Sequence, residues 1–171
     1  MRRLPLAVSF SLWLAACGGG ATLTGGVYAD GEARYRIGDL GDGWDRIGVD
    51  QNDLAWHHDT LGAIVQVNAT CDPFQDVPLT SLTGHLLIGF TDREWVSSDR
   101  VPMDGREALR SHIRAKLDGV PRELLLYVMK KDECTYDFAL VTPPGDAFEE
   151  AARIFERFVG EFSTDVAEES R

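Results

Sequence analysis

The side chains able to do chemistry in this sequence are few and scattered. The four histidines are His57, His58, His85 and His112. His57-His58-Asp59 is the densest group of metal-ligand types, yet neighbours on a strand point to opposite faces, so one strand cannot turn both rings to one ion. With no His-x-His or His-x-x-x-His pair, the histidines read as surface or packing residues, and no metal site is expected. Asp50, Asp53 and Asp59 lack the loop spacing of a calcium hand. There is no Gly-x-Ser-x-Gly, no Ser-x-x-Lys and no glycine-rich phosphate loop. Glu149-Glu150 beside Asp146 reads as the solvated face of a helix. No catalytic residue and no cofactor is assigned, and the chain is read as not an enzyme. What remains is a basic stripe, Arg110, His112, Arg114 and Lys116, at every second position of one segment. A solvated strand face is the simplest account of it; as a candidate binding stripe it would meet an anionic ligand or an acidic partner. Trp44, Trp56 and Trp95 could line a ligand groove, but a Trp in a short strand usually covers one end of a packed sheet.

The cysteines carry a stronger signal. Ahead of Cys17, Arg2 and Arg3 make a short positive head, and residues 4–16 are apolar but for Pro5, Ser9 and Ser11. That is the pattern of an export signal. The run is too short for a spanning helix, which needs about 20 residues. It ends Leu14-Ala15-Ala16-Cys17, which resembles the bacterial lipobox. The resemblance implies that residues 1–16 are a lipoprotein signal peptide, that the Cys17 thiol is diacylated with palmitate-type chains, and that the amine freed by cleavage is acylated too. Two or three chains hold a protein where one does not, at about 0.8 kcal/mol per buried methylene. The bilayer is thus an expected partner through Cys17. Gly18, where Asp would imply retention at the inner membrane, implies a place on the periplasmic face of the outer membrane in a diderm host. With Cys17 lipidated, Cys71 and Cys134 remain. An oxidising compartment favours a disulfide between them, closing a loop worth about 4 kcal/mol in the chain-entropy model. Two buried free thiols or a redox pair are the alternatives, the latter without a Cys-x-x-Cys.

Removing the leader leaves 155 of the 171 residues and takes the net charge from −11 to −13. That length suits one domain with a sizeable core. That charge argues against nucleic acid as a partner and against an electrostatic grip on anionic lipid. Residues 17–33 hold Gly18, Gly19, Gly20, Gly25, Gly26 and Gly31 and read as a flexible tether with a reach of about 22 Å.

The body is expected over residues 34–163. Short strands are read at 35–37, 44–47 and 55–58. Ile64, Val65 and Val67 make a β-rich run that leads to Cys71. Leu79, Leu82, Leu86 and Phe90 recur at the period of an amphipathic helix over 79–90, with Thr80 or Ser81 as its cap. Residues 109–117 alternate strictly, Leu109, Ser111, Ile113, Ala115 and Leu117 against the basic stripe, which marks a strand with one buried and one wet face. Asp118-Gly119 turns the chain into an apolar, central strand at 123–131, and another follows at 134–141. A last helix runs from Asp146 to Phe162 with Phe148, Ala151, Ala152, Phe155, Phe158 and Val159 along one stripe. Residues 164–171 form a polar tail. Several strands, one helix, a four-strand meander and a closing helix give an α+β fold, an antiparallel sheet of about six to seven strands sandwiched by helices.

The second half of the chain resembles the PsbP-like superfamily. Gly105-Arg106-Glu107-Ala108, the strand at 109–117, Leu117-Asp118-Gly119, two more strands, and a helix with Phe155, Phe158 and Phe162 carry the likeness. It implies an α/β/α sandwich and accessory binding more than catalysis. The two cysteines depart from the pattern. The expectation is a membrane-anchored envelope lipoprotein, a non-enzymatic module that binds a protein partner; the alternative is a lipoprotein that binds a small ligand or metal ion.

Overall fold

A computed structural model of the chain describes residues 20–49, 52–72 and 76–166. The signal peptide, Cys17, the first residues of the expected tether, Asp50 and residues 167–171 lie outside the described residues.

Seven antiparallel strands make the main sheet: β4 (Asp45–Ile47), β5 (Leu54–His58), β6 (Ala63–Cys71), β7 (Phe90–Met103), β8 (Arg106–Leu117), β9 (Val120–Lys131) and β10 (Cys134–Thr142), in the order β4-β5-β6-β10-β9-β8-β7. Three short strands, β1 (Thr22–Thr24), β2 (Val27–Ala29) and β3 (Arg34–Arg36), form a second sheet. Helices α1 (Leu79–Leu86) and α2 (Asp146–Gly160) complete the fold.

The helices pack on opposite faces of the main sheet, and the alternation of β9 shows why. Leu124 and Leu126 join Ile113, Ala115 and Leu87 in the cluster under α1. Leu125, Tyr127 and Met129 join Val65, Val67, Phe138, Leu140 and the α2 residues Phe155 and Phe158. Successive strand residues face opposite ways, so a strand covered on both sides reads as a continuous apolar run. Leu124 to Met129 are all buried.

Four expectations change. The glycine-rich stretch is folded from Thr22 onward. Tyr28 of β2 is buried and stacks on Tyr35 of β3 at 4.9 Å, and Leu23 packs on the core. Gly25 and Gly26, at φ 56° and 76°, make a two-residue hairpin turn that needs positive φ twice, so these glycines shape a turn and are not slack. The first helix stops at Leu86, with neither Thr80 nor Ser81 capping it; Phe90 opens β7 and meets the same cluster from a strand. Strand β7 went unread because it is the sheet's edge and nearly all of it is exposed, leaving little apolar alternation to see. The wet face expected on β8 is wet at Arg114 and Lys116, but Arg110 and His112 on it meet Glu156 and Phe148 of α2.

Candidate functional site

The basic stripe was the sharpest site expectation, and the structure gives every member a carboxylate. Arg110 Nη2 donates to Glu156 Oε1 on α2 at 2.7 Å, and its Nε also reaches the Tyr127 hydroxyl at 3.1 Å. His112 Nε2 donates to Glu123 Oε1 at 2.7 Å, and Arg114 Nε donates to the same oxygen at 3.2 Å. Lys116 pairs with Asp92 at 2.8 Å. Phe148 of α2 stacks on the His112 ring at 4.6 Å. Strict alternation separated the two faces correctly; Arg114 and Lys116 keep the second face wet, at 54% and 45% exposed, whereas Arg110 and His112 are half-buried against Glu156 and Phe148 of α2.

Glu123 is the residue that sequence reading missed here. It is 3% exposed, and a buried carboxylate persists only where it is paired and hydrogen-bonded. Arg114 supplies a positive charge, His112 a hydrogen bond to the same oxygen, and Gly145 N–H at the start of α2 donates to its Oε2 at 3.4 Å. The knot ties β8, β9 and the N-terminus of α2 together. Its signal in the sequence was an acid set directly before an apolar run.

The other histidines do not converge. His57 Nδ1 meets Asp59 at 3.0 Å on the surface. His58 accepts the Leu61 N–H and lies edge-on to Trp44. No group of three His, Cys, Asp or Glu among the described residues is placed to hold a metal ion.

Cys71 and Cys134 form a disulfide across directly paired residues of β6 and β10. Beside this end of the sheet sits an acid–tyrosine cluster. Tyr28 donates to Asp30 at 3.0 Å, Tyr35 donates to Asp53 at 3.3 Å, and Asp53 Oδ2 accepts Ala69 N–H at 2.8 Å. Burial pushes the Asp53 carboxyl upward, against the Ala69 N–H and the two tyrosine hydroxyls, which favour its charge. Burial also raises the Tyr35 hydroxyl, helped by the nearby Asp53 charge. This cluster docks the small sheet to the large one.

Asp137 stands alone. It lies mid-strand in β10, opposite Asn68 and Val128. Its Oδ1 is sealed from water with no hydrogen-bond partner among the described residues. Burial pushes its carboxyl up to about 7.

Two features could meet another molecule. Ile88, Trp95, Val96 and Val120 are exposed apolar side chains on β7 and the turns at the far end of the sheet from the disulfide. Separately, a cleft opens between the β1–β2 turn and the loop after β3, with Trp44 and Trp56 in its wall. Of the three tryptophans considered for a groove, Trp44 is buried and Trp56 half-buried against the core, whereas Trp95 is 48% exposed.

No family model matches the sequence, and no curated protein does. Solved structures do match. A cyanobacterial PsbP from Synechocystis sp. PCC 6803 aligns with a TM-score of 0.54 at 15% identity, covering 90% of this chain and 96% of that one. This chain has the PsbP-like fold. The Saccharomyces cerevisiae Ran-binding protein Mog1p shares that fold, with a TM-score of 0.56 at 10% identity over 85% of this chain and 94% of its own. A Bacteroides thetaiotaomicron structure gives 0.56 at 11% identity over 80% of this chain, which spans about half of that longer protein, 47%. At such identities the PsbP-like likeness establishes architecture, and function has to be argued from sites.

Proposed function

We propose that this chain is a lipid-anchored envelope protein that acts by binding another protein and not by catalysis. The observation that carries the reading is that four of the five exposed large apolar side chains among the described residues, Ile88, Trp95, Val96 and Val120, fall on β7, the turn before it and the start of β9. Apolar surface concentrated in one part of a molecule marks an interaction site, whereas apolar side chains scattered singly need no explanation. Among the described residues, the edge strand β7 has no strand on its outer side. Aromatic residues at such sites supply contact area at small entropic cost.

The anchor rests on the leader and on Leu14-Ala15-Ala16-Cys17. Placement agrees with it. Thr22 pairs with Ala29, close to Glu32, whose carbonyl lies 3.6 Å from Cys71 Sγ. Ile88 and Val120 lie at the opposite end of strands about 36 Å long, from the steps of about 3.3 Å between the 12 residues of each. A body held near Cys17 therefore has room to present its apolar end away from the bilayer. Among solved PsbP-like neighbours, the Mycobacterium tuberculosis protein LpqN is described as involved in cell envelope biogenesis, which supports an envelope role.

Two measurements test the reading. Cys17→Ser should abolish acyl labelling and free the protein from membranes; unchanged membrane association sinks the anchor. A photo-cross-linking residue placed at Trp95 or Val120 should give one discrete protein adduct in native membranes, lost when Ile88 is replaced by Glu. Adducts to lipid alone, or none, overturn the docking reading.

A further inference from the structure

The cleft beside the small sheet is built from four separate parts of the chain. Leu23 and the turn glycines Gly25 and Gly26 form one wall. Ile37 and Leu40, from the loop after β3, are buried beneath it. Trp44 and Trp56 supply two indoles, and Phe158 of α2 braces Trp56 edge-to-face at 5.6 Å. Arg36, Asp39 and Glu161 stand at its rim.

Its frame is fixed by specific contacts. Arg36 Nη1 donates to the Gly25 carbonyl at 3.2 Å. Gly41 N–H donates to Asp39 Oδ1 at 2.9 Å. A Cβ at Gly38 would come within 2.8 Å of the Phe158 Cα, so only glycine lets the end of α2 close on this loop. Gly41, at φ 84°, turns the chain back toward Trp44. The volume, about 480 Å³, falls within the usual range for small-molecule sites.

The chemistry narrows the ligand. A wholly apolar molecule would strip water from Arg36, Asp39 and Glu161 and return no hydrogen bonds. An anion would face two carboxylates against one guanidinium, on a chain of net charge −11. A saccharide fits both halves of the lining. Its C–H face can lie on an indole, while its hydroxyls donate to the carboxylates and accept from the guanidinium. We propose that this cleft is a binding site for a neutral saccharide. The site is distinct from the exposed apolar group at the far end of the sheet and does not depend on the docking reading.

The test uses the ¹⁵N-labelled lipidated protein in detergent micelles, titrated with glucose, N-acetylglucosamine and chitobiose. At least one sugar should shift the Trp44 and Trp56 indole N–H signals saturably, with a Kd of about 1 mM or below, and leave Trp95 unmoved. Glu161→Gln and Asp39→Asn change exposed groups outside the core, and each should weaken binding about tenfold. The proposal is overturned if no sugar gives a saturable shift, if Trp95 shifts equally, if inorganic phosphate saturates the same signals in place of sugar, or if both variants bind as the parent does.

Discussion

Replacing Asp137 by asparagine should stabilise the protein above neutral pH and do little in acid. The carboxyl sits mid-strand with Oδ1 sealed and unpartnered. The residue as a whole is only partly covered, but burial acts on the oxygen that carries the charge, and it moves the carboxyl from 3.8 to about 7. A raised acid means that the native state holds the proton more tightly than the unfolded chain does. Between about pH 4 and 7 the native protein is protonated there and the unfolded chain is not, so stability falls as pH rises through that window and is level above it. At about 1.36 kcal/mol per pH unit the full displacement is worth about 4 kcal/mol. Asparagine keeps the shape without the charge but brings an amide that also wants partners, so the net gain expected near pH 8 is about 2 kcal/mol. Urea unfolding of parent and Asp137→Asn with the disulfide intact, at about pH 8 and about pH 4, measures it. Asp53, also raised by burial, adds a slope of the same sign to both proteins and cancels in the difference. A variant that is less stable at the higher pH, or a difference that is the same at both, refutes the reasoning.

Two further perturbations probe the framework. Glu123→Ala leaves the half-buried His112 and the more exposed Arg114 without their shared carboxylate and should cost about 3 kcal/mol, read as a lower urea midpoint; a loss under about 0.5 kcal/mol would show that the knot contributes nothing. Reducing the Cys71–Cys134 bond, which spans a sequence separation of 63, should lower stability by about 4 kcal/mol in the chain-entropy model, and equal midpoints with and without reductant would contradict that.

The sequence disclosed its two-faced elements and concealed those whose meaning depends on a neighbour. Residues 109–117 alternate so strictly that the strand was legible, and the apolar run in β9 announced a central position. The same alternation misled about Arg110 and His112, because period two distinguishes faces without saying what covers each. Only the arrival of α2, with Glu156 and Phe148, decides that the second face is half interior. Glycine misled in the other direction. Gly25 and Gly26 suggested slack when counted, yet Leu23 and Tyr28 on either side of them carry apolar contacts for a hairpin. Strand β7 was hidden because an exposed edge needs no apolar pattern; its two register irregularities and Pro102 are features by which edge strands avoid indiscriminate pairing. Asp137 and Glu123 were visible as acids in or beside apolar runs, but whether a buried acid is paired is a tertiary fact.

The folded N-terminal hairpin tightens the geometry that the proposed anchor imposes. With the first strand beginning at Thr22 and not at Arg34, four residues separate it from Cys17, and the five chain steps between the two reach about 17 Å when fully extended. The first folded element beyond it is β1, whose neighbours β2 and β3 are fastened to the main sheet by Tyr28, Tyr35 and Asp53. The chain leaves the core nearby, where Ser163 pairs with Arg36 and Asp104 accepts Thr164 N–H at 2.8 Å. That crowded end combines hydrogen bonding with a disulfide, while the opposite end carries Ile88 and Val120 in the open. Under the anchored reading, the end that bears the tether is the end that is covalently and polar-bonded together, and the end free to meet a partner is the apolar one. The cleft proposed to take a saccharide is walled by Leu23 of β1, by Trp56 and by Glu161 just beyond α2, so its lining shares no residue with the exposed apolar side chains Ile88, Trp95, Val96 and Val120.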